Sequence, residues 1–479
     1  MAKTQYDVDI CILGAGSAGL SVASGAAQLG RSVVLFEAAE MGGDCLNHGC
    51  VPSKALIAAG KHAHAFSTGE IFGVKVAKPK VDFTTVKAHI KGVIEHIAPV
   101  DSQERFEGLG CTVIREHAKF LNATTVVSET TEIKAKRFVI ATGSRAAVLP
   151  IPGLEDVPYL TNETIFSVKT QPKKLLVIGA GPIGLEIGQA FKRLGSDVTI
   201  IDIGPPLPRA EPEHAKVLVE ALKDEGIEFL TPVVTKKIRK TTTGIAIDLE
   251  DGSKLEGTHL LLAAGRAPNL ANLGLEEAGI SFDRRGIDVT DSLRTTNKKV
   301  YAAGDVAKGM GGLTHAAGYH AGQLIRNFYF SPPYMGDMLS GAKTDRMPAV
   351  VYSAPELANI GLSEAAAKEA GFDVRSVSWE FEENDRAIAE RSNKGLVKIV
   401  ATKKGKILGA SIVGEQAGEL IHMISVAMTN KVKISGLAQI ISPYPTRSEA
   451  VKRAASSWYT DALFSDKTRK IAGFLSKFH

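Results

Sequence analysis

The sequence predicts an α/β protein in which two βαβ units are followed by a smaller α+β domain. Two observations carry this. A stretch near the N-terminus, YDVDICILGAGSAGLSVASGAAQLGRSVVLFE (6–37), recurs in plan at 173–202 as KKLLVIGAGPIGLEIGQAFKRLGSDVTIID: apolar strand, glycine turn, helix, Leu-Gly, second apolar strand, terminal acid. Later, from about Arg346, the texture changes, and in GLVKIVATKKGKILGASIVG two strand-like runs flank the charged turn KKGK, an antiparallel hairpin. At 479 residues the chain exceeds what one hydrophobic core serves and suggests about three domains.

Each glycine of the repeats has a physical task. Gly14 and Gly179 allow the tight turn out of the strand, Gly16 and Gly181 let the backbone approach a pyrophosphate, and Gly19 and Gly184 let helix and strand pack closely. The pyrophosphate then meets unpaired N–H groups at a helix N-terminus. In both copies the acid stands 23 positions after the first glycine, Gly14 to Glu37 and Gly179 to Asp202, close to the spacing of a dinucleotide-binding fingerprint. Two Rossmann-like dinucleotide-binding domains follow. FVIATGS (138–144, with Gly143) closes the first and LLLAAGRAPN (260–269, with Gly265) the second, and VYAAGDVA (300–307) presents Gly304 and Asp305 at a strand end. The expected organisation is 1–150 and 285–345 for the first nucleotide domain, 151–284 for the second, and 346–479 for the last domain, with a helix from Ala417 to about Lys431.

Between the repeats lies GGDCLNHGCVPSK (42–54), with two of the chain's four cysteines. Four cysteines are too few for a disulfide framework in a chain this size. A zinc site needs about four ligands, and one C-x-x-x-x-C with His48, His62 and His64 nearby falls short, so no metal site is expected. A redox pair fits better, because the segment follows a nucleotide-binding repeat and opens on glycines that permit close approach to a ligand. Residues five apart on a regular helix lie beyond the roughly 7 Å Cα limit for a disulfide, so the helix must be distorted here. Pro52 lacks the N–H for the carbonyl of His48 and Gly49 is permissive. Lys54 falls one turn after Cys50, where its cation would lower a thiol pKa or sit beside a flavin unless it is simply solvated. Cys11 and Cys111 read as core residues, and His62 and His64 as surface residues.

Composition excludes other classes. Net charge is +5, with 57 basic and 52 acidic residues scattered along the chain, so nucleic acid is not an expected partner. The N-terminus does not read as a signal peptide and the apolar runs are too short to span a membrane, which predicts a soluble, cytoplasmic protein. The tail from Trp458 to His479 is weakly amphipathic and is expected to pack on its own dimer in preference to a membrane surface.

GGDCLNHGCVPSK closely resembles the active-site helix of the pyridine nucleotide-disulfide oxidoreductases. The likeness runs in order through GAGSAG, the cysteine segment, ATGS, GAGPIGLE, AAGRAPN, YAAGDV, LTHAA and YPTRSEA. It implies FAD on the first repeat, with Glu37 on the adenosine ribose and Asp305 near the ribityl and pyrophosphate, and a nicotinamide nucleotide on the second. It also implies a redox disulfide with Cys50 facing the flavin and Cys45 facing substrate, a Lys54–Glu186 pair beside flavin N5, and a homodimer in which residues 444–449 act across the interface. His315 and His320 would approach the flavin without a chemical role. Asp202 suits both ribose hydroxyls of NADH and would repel a 2′-phosphate, so NAD(H) is expected over NADP(H); Arg209, seven positions on, is too far to compensate.

One departure matters. Where many members carry a histidine oriented by a glutamate, this chain has Tyr444, with Glu449 at the glutamate position. A tyrosine near pKa 10 is a poor resting base at neutral pH. The segment resembles the mercuric-reductase-like branch most, yet no cysteine follows Cys111, which argues against efficient Hg(II) reduction. The expectation is electron transfer from NADH through FAD and the Cys45/Cys50 disulfide to a small acceptor or from a dithiol. The alternatives are dihydrolipoamide dehydrogenase, mercuric reductase or a redox-sensing flavoprotein.

Overall fold

The computed structural model describes residues 3–75, 77–310, 312–335 and 339–478. Its chain divides into two compact units, one running to Gly204 and resuming over Ile227–Thr344, the other taking Pro205–Gly226 and the chain from Asp345 onward.

The first unit contains both repeats. Strand Thr4–Leu13 pairs in parallel with Val33–Phe36 on one side and Thr131–Ile140 on the other, in register Ile10↔Val33 and Ile10↔Arg137. Cys111–Ile114 extends one edge, Val300–Ala302 also pairs with Thr131–Ile140, and an antiparallel hairpin of Lys119–Asn122 and Thr125–Val127 completes seven strands. Central parallel strands are covered on both faces, which is why their apolar runs do not alternate. Ile10, Cys11 and Ile12 are fully buried, and Cys111 is also in the core. Helix Ser17–Gln28 packs its small residues against helix Thr314–Phe330, where a Cβ on Gly25 would meet Ile325 at 2.9 Å.

The second repeat forms a five-stranded, wholly parallel sheet in the order Glu228–Leu230, Asp197–Ile201, Lys174–Ile178, His259–Leu262, Tyr159–Leu160. A three-stranded antiparallel sheet lies beside it in sequence, Thr235–Lys240, Ile245–Leu249 and Lys254–Gly257. The short ribbon of Ser144–Ala146 with Arg266–Pro268 ties the two nucleotide folds together at the glycine turns that close them.

The second unit is a five-stranded antiparallel sheet in the order Ala349–Val351, Glu356–Gly361, Ile407–Gly414, Leu396–Thr402, Val374–Glu380. The hairpin around KKGK forms as expected, in register Ile399↔Ala410. Helices Ala417–Thr429 and Ser448–Ser457 enclose its core of Phe381, Val397, Ile399, Ile412 and Ile424. Helix Pro212–Asp224 also belongs here, held by Lys398, which bonds Glu211, Glu213 and Glu364 at 3.1, 2.7 and 3.1 Å. The tail forms two short helices, Thr460–Leu463 and Asp466–Leu475, that leave Phe464, Ile471 and Phe474 exposed. No helix among the described residues is long and apolar enough to cross a membrane.

Candidate active site

The two glycine turns are built alike. Gly14 and Gly179 have φ of +106° and +117°, and a Cβ at either would lie 2.5 or 2.4 Å from the carbonyl oxygen of Ala141 or Ala263. A Cβ at Gly19 or Gly184 would fall 1.8 or 1.9 Å from the carbonyl oxygen of Gly14 or Gly179, so only glycine lets each helix start this close to its strand. Gly16 and Gly181 are the helix N-caps; a Cβ would be 3.9 Å from Gly43 Cα in the first and would meet open space in the second. Glu37 and Asp202 end their strands in matching fashion. Glu37 accepts from the Ala15 and Ala39 N–H groups at 2.7 and 2.8 Å, Asp202 from those of Ala180 and Gly204 at 2.7 and 3.0 Å.

A cavity of about 430 Å³ opens over the first turn, lined by Gly14, Gly16, Glu37, Asp44, Gly143 and Ser144 among others. Gly143 and Gly265 both have positive φ, and side-chain space beside Gly143 is open. Asp305 lies on the turn Gly304–Val306 and accepts from Ser144 Oγ at 2.5 Å. A cradle that a Cβ would fill, a helix N-terminus and a strand-end carboxylate on one cavity fit an adenine dinucleotide.

The cysteine helix is broken where expected. Helix Gly43–Asn47 stops, His48 and Gly49 leave helical geometry with φ/ψ of −138°/0° and −124°/−112°, and helix Cys50–Gly69 begins. Neither cysteine is in a disulfide in this structure; Cys45 is half-buried and Cys50 exposed. Their protonation is split. A hydrogen bond from the Cys45 thiol, aided by Thr314 and the charge of Lys54, outweighs burial and brings Cys50 down to about 6. The same bond and burial push Cys45 far up. A helix N-terminus at Cys50 acts in the same direction. The pair therefore favours negative charge on Cys50 and the proton on Cys45.

Lys54 and the buried Glu186 form an ion pair of 2.8 Å. Their helices can cross closely because Gly60 faces Ala190, where a Cβ would sit 3.2 Å from backbone atoms.

Four partners escaped sequence reasoning. Thr314 Oγ1 lies 3.2 Å from Cys50 Sγ. Asp44, beside Cys45, is held by Arg266 at 3.0 Å and by Asn162 at 2.9 Å, and Asn162 also donates to the His48 carbonyl. His320 is fully buried, accepts from the Gly304 N–H at 3.2 Å, and is kept neutral by burial, down to about 4. His315, His62 and His64 lie toward the surface, and no three-residue metal cluster occurs among the described residues.

In the second unit, Tyr444 is 71% exposed and donates to Asp385 at 2.8 Å. That bond and the carboxylate's charge raise the tyrosine above its ordinary value. Glu449 sits in the first turn of helix Ser448–Ser457.

Paired glycine turns with strand-end acids, joined to a split cysteine pair, define a nucleotide-dependent disulfide reductase. Residues 8–321 match the pyridine nucleotide-disulphide oxidoreductase family and residues 347–455 its dimerisation domain, and the chain belongs to that family. It is 33% identical over 463 residues to a mercuric reductase of Bacillus cereus, covering 95% of this chain and 72% of the relative. It is 35% identical over 477 residues to a dihydrolipoyl dehydrogenase of Thermus scotoductus, covering 95% and 98%. Its fold matches that of the HOCl-induced flavoprotein disulfide reductase RclA from Escherichia coli with a TM-score of 0.83 at 26% identity, covering 94% and 99%. Members of the family depend on FAD and a pyridine nucleotide.

Proposed function

We propose that this chain is an NADH-linked disulfide oxidoreductase, a cytoplasmic homodimer that passes an electron pair through FAD and the Cys45/Cys50 pair to a small electrophilic acceptor. The observation that carries it is the split pair, a Cys50 thiolate and a Cys45 thiol next to the Lys54–Glu186 ion pair. Gly14, Gly16, Gly19, Glu37, Gly143 and Asp305 would hold FAD, which when bound supplies hydride chemistry. Gly179, Gly181, Gly184, Asp202 and Gly265 would hold NADH.

This chain's residues then do the thiol chemistry. Lys54 favours negative charge on Cys50, and Glu186 fixes the cation in place. Cys45, the protonated partner, becomes the exchange thiol once its proton leaves, and Cys50 closes the disulfide behind it. The domain boundaries 1–150, 151–284, 285–345 and 346–479 belong to the same proposal.

A second reading, dihydrolipoamide dehydrogenase, is favoured by the Thermus relative, which aligns over almost its whole length. Tyr444 opposes it. A neutral tyrosine bonded to Asp385 is a weak base for a dithiol substrate.

Anaerobic reduction with NADH or NADPH, then rapid mixing with small disulfides, quinones, metal ions and lipoamide, tests these readings. The expected result is preference for NADH and fast reoxidation by one acceptor class. Equal or better reduction by NADPH would overturn the assignment of Asp202, and, in a separate assay with NAD⁺, fast turnover of dihydrolipoamide at pH 7 would promote the second reading.

A further inference from the structure

Thr314 belongs to none of the groups assigned above, although it touches a reacting atom. It is the first residue of helix Thr314–Phe330, 264 positions from Cys50, and its Oγ1 stands 3.2 Å from Cys50 Sγ. We propose that Thr314 is a catalytic residue whose hydroxyl donates to the Cys50 sulfur when that sulfur carries charge, and thereby sets the redox balance of the Cys45/Cys50 pair.

The argument is differential stabilisation. A thiolate is a strong acceptor and a disulfide sulfur a weak one, so a fixed donor aimed at Cys50 stabilises the reduced pair more than the oxidised pair. Threonine suits this, because branching at Cβ restricts χ1 and holds the hydroxyl in place.

In the step concerned the Cys45–Cys50 S–S bond breaks and takes up two electrons, which NADH supplies through the flavin. One proton goes to Cys45, and Cys50 keeps the negative charge that Thr314 meets.

The other groups facing Cys50 are the Cys45 thiol, Lys54 and Asp44. Lys54 is tied to Glu186, and Asp44, whose charge opposes the thiolate, is tied to Arg266 and Asn162. Cys45 and Thr314 are the uncharged donors of this set, and of the two only the Thr314 hydroxyl keeps its proton throughout the working pH range.

This inference rests on the reading of Cys45/Cys50 as the redox couple. The test uses the FAD-loaded enzyme as wild type, Thr314→Val, Thr314→Ala and Thr314→Ser, each reduced anaerobically with NADH. Thiol titration first counts the two thiols released in wild type. The pH midpoint of the thiolate absorbance and the equilibrium of the pair against a glutathione buffer are then measured.

Losing one donor to a charged sulfur should move the midpoint up by about one pH unit and favour the disulfide about tenfold, which is about 30 mV for two electrons. Val and Ala should agree, and Ser should restore both values toward wild type. Bound FAD and melting temperature should hardly change, which separates tuning from a structural role. Variants with the wild-type midpoint and equilibrium would overturn the role of Thr314. A wild type that releases no thiols on reduction would overturn the couple itself, and Thr314's role with it.

Discussion

At the scale of single residues, the chemistry turns on which sulfur holds the charge. Cys50 is depressed to about 6, so reduced enzyme should show a long-wavelength thiolate-to-flavin absorbance that is half-developed near pH 6 and lost below it. Cys50→Ser should lose the band, whereas Cys45→Ser should show it without any reductant, and the reverse pattern would exchange the two roles. Tyr444 is the other decisive residue. Because Asp385 raises it further, dihydrolipoamide oxidation should be slow at pH 7 and rise as the substrate ionises itself. Tyr444→His, with Asp385 2.8 Å from the hydroxyl it replaces, should increase that rate by about 10² or more while leaving flavin reduction by NADH unchanged. Steady-state rates with dihydrolipoamide and NAD⁺ against pH check this.

At the scale of elements, one helix contact holds the site and another sets acid stability. Gly60→Val would force helices Cys50–Gly69 and Pro182–Arg193 apart and loosen the Lys54–Glu186 pair. Overpacking of this kind costs about 1–3 kcal/mol, to be read as a lower melting temperature together with slower reduction of Cys45/Cys50. In the second unit, His214 on helix Pro212–Asp224 is fully buried, accepts no charge readily, and is held down to about 4 by burial, with Nε2 3.2 Å from the Ser411 carbonyl. Its folded value lies below the ordinary one, so the unfolded chain takes up a proton first as pH falls. Stability should therefore decline between about pH 6.5 and 4, and His214→Leu should flatten that part of a urea-midpoint profile. An unchanged slope in the variant would show that other groups carry the acid sensitivity.

For the whole molecule, the matched dimerisation domain and the surface it leaves bare point the same way. Ile441 is 95% exposed, three residues from Tyr444, within the matched span 347–455. Light scattering should give about twice the chain mass of 50.8 kDa. Ile441→Asp should shift the protein toward monomer and lose acceptor reduction, while NADH still reduces the flavin, since the residues proposed for that half-reaction lie in the first unit. A dimeric, fully active variant would remove Ile441 from the interface.

The sequence by itself determined what local constraints encode. Both glycine turns, their strand-end acids, the broken cysteine helix and the hairpin around KKGK were legible because positive φ, missing N–H groups and apolar runs act within a few residues. Only the tertiary structure decided the partners of the reacting groups. Thr314 reaches Cys50 across 264 positions, Arg266 reaches Asp44 across 222, and Asp385 takes Tyr444 across 59. None of these leaves a periodic or spacing signal, because which side chain meets which across a fold is settled by how separate elements pack, and packing has no local signature.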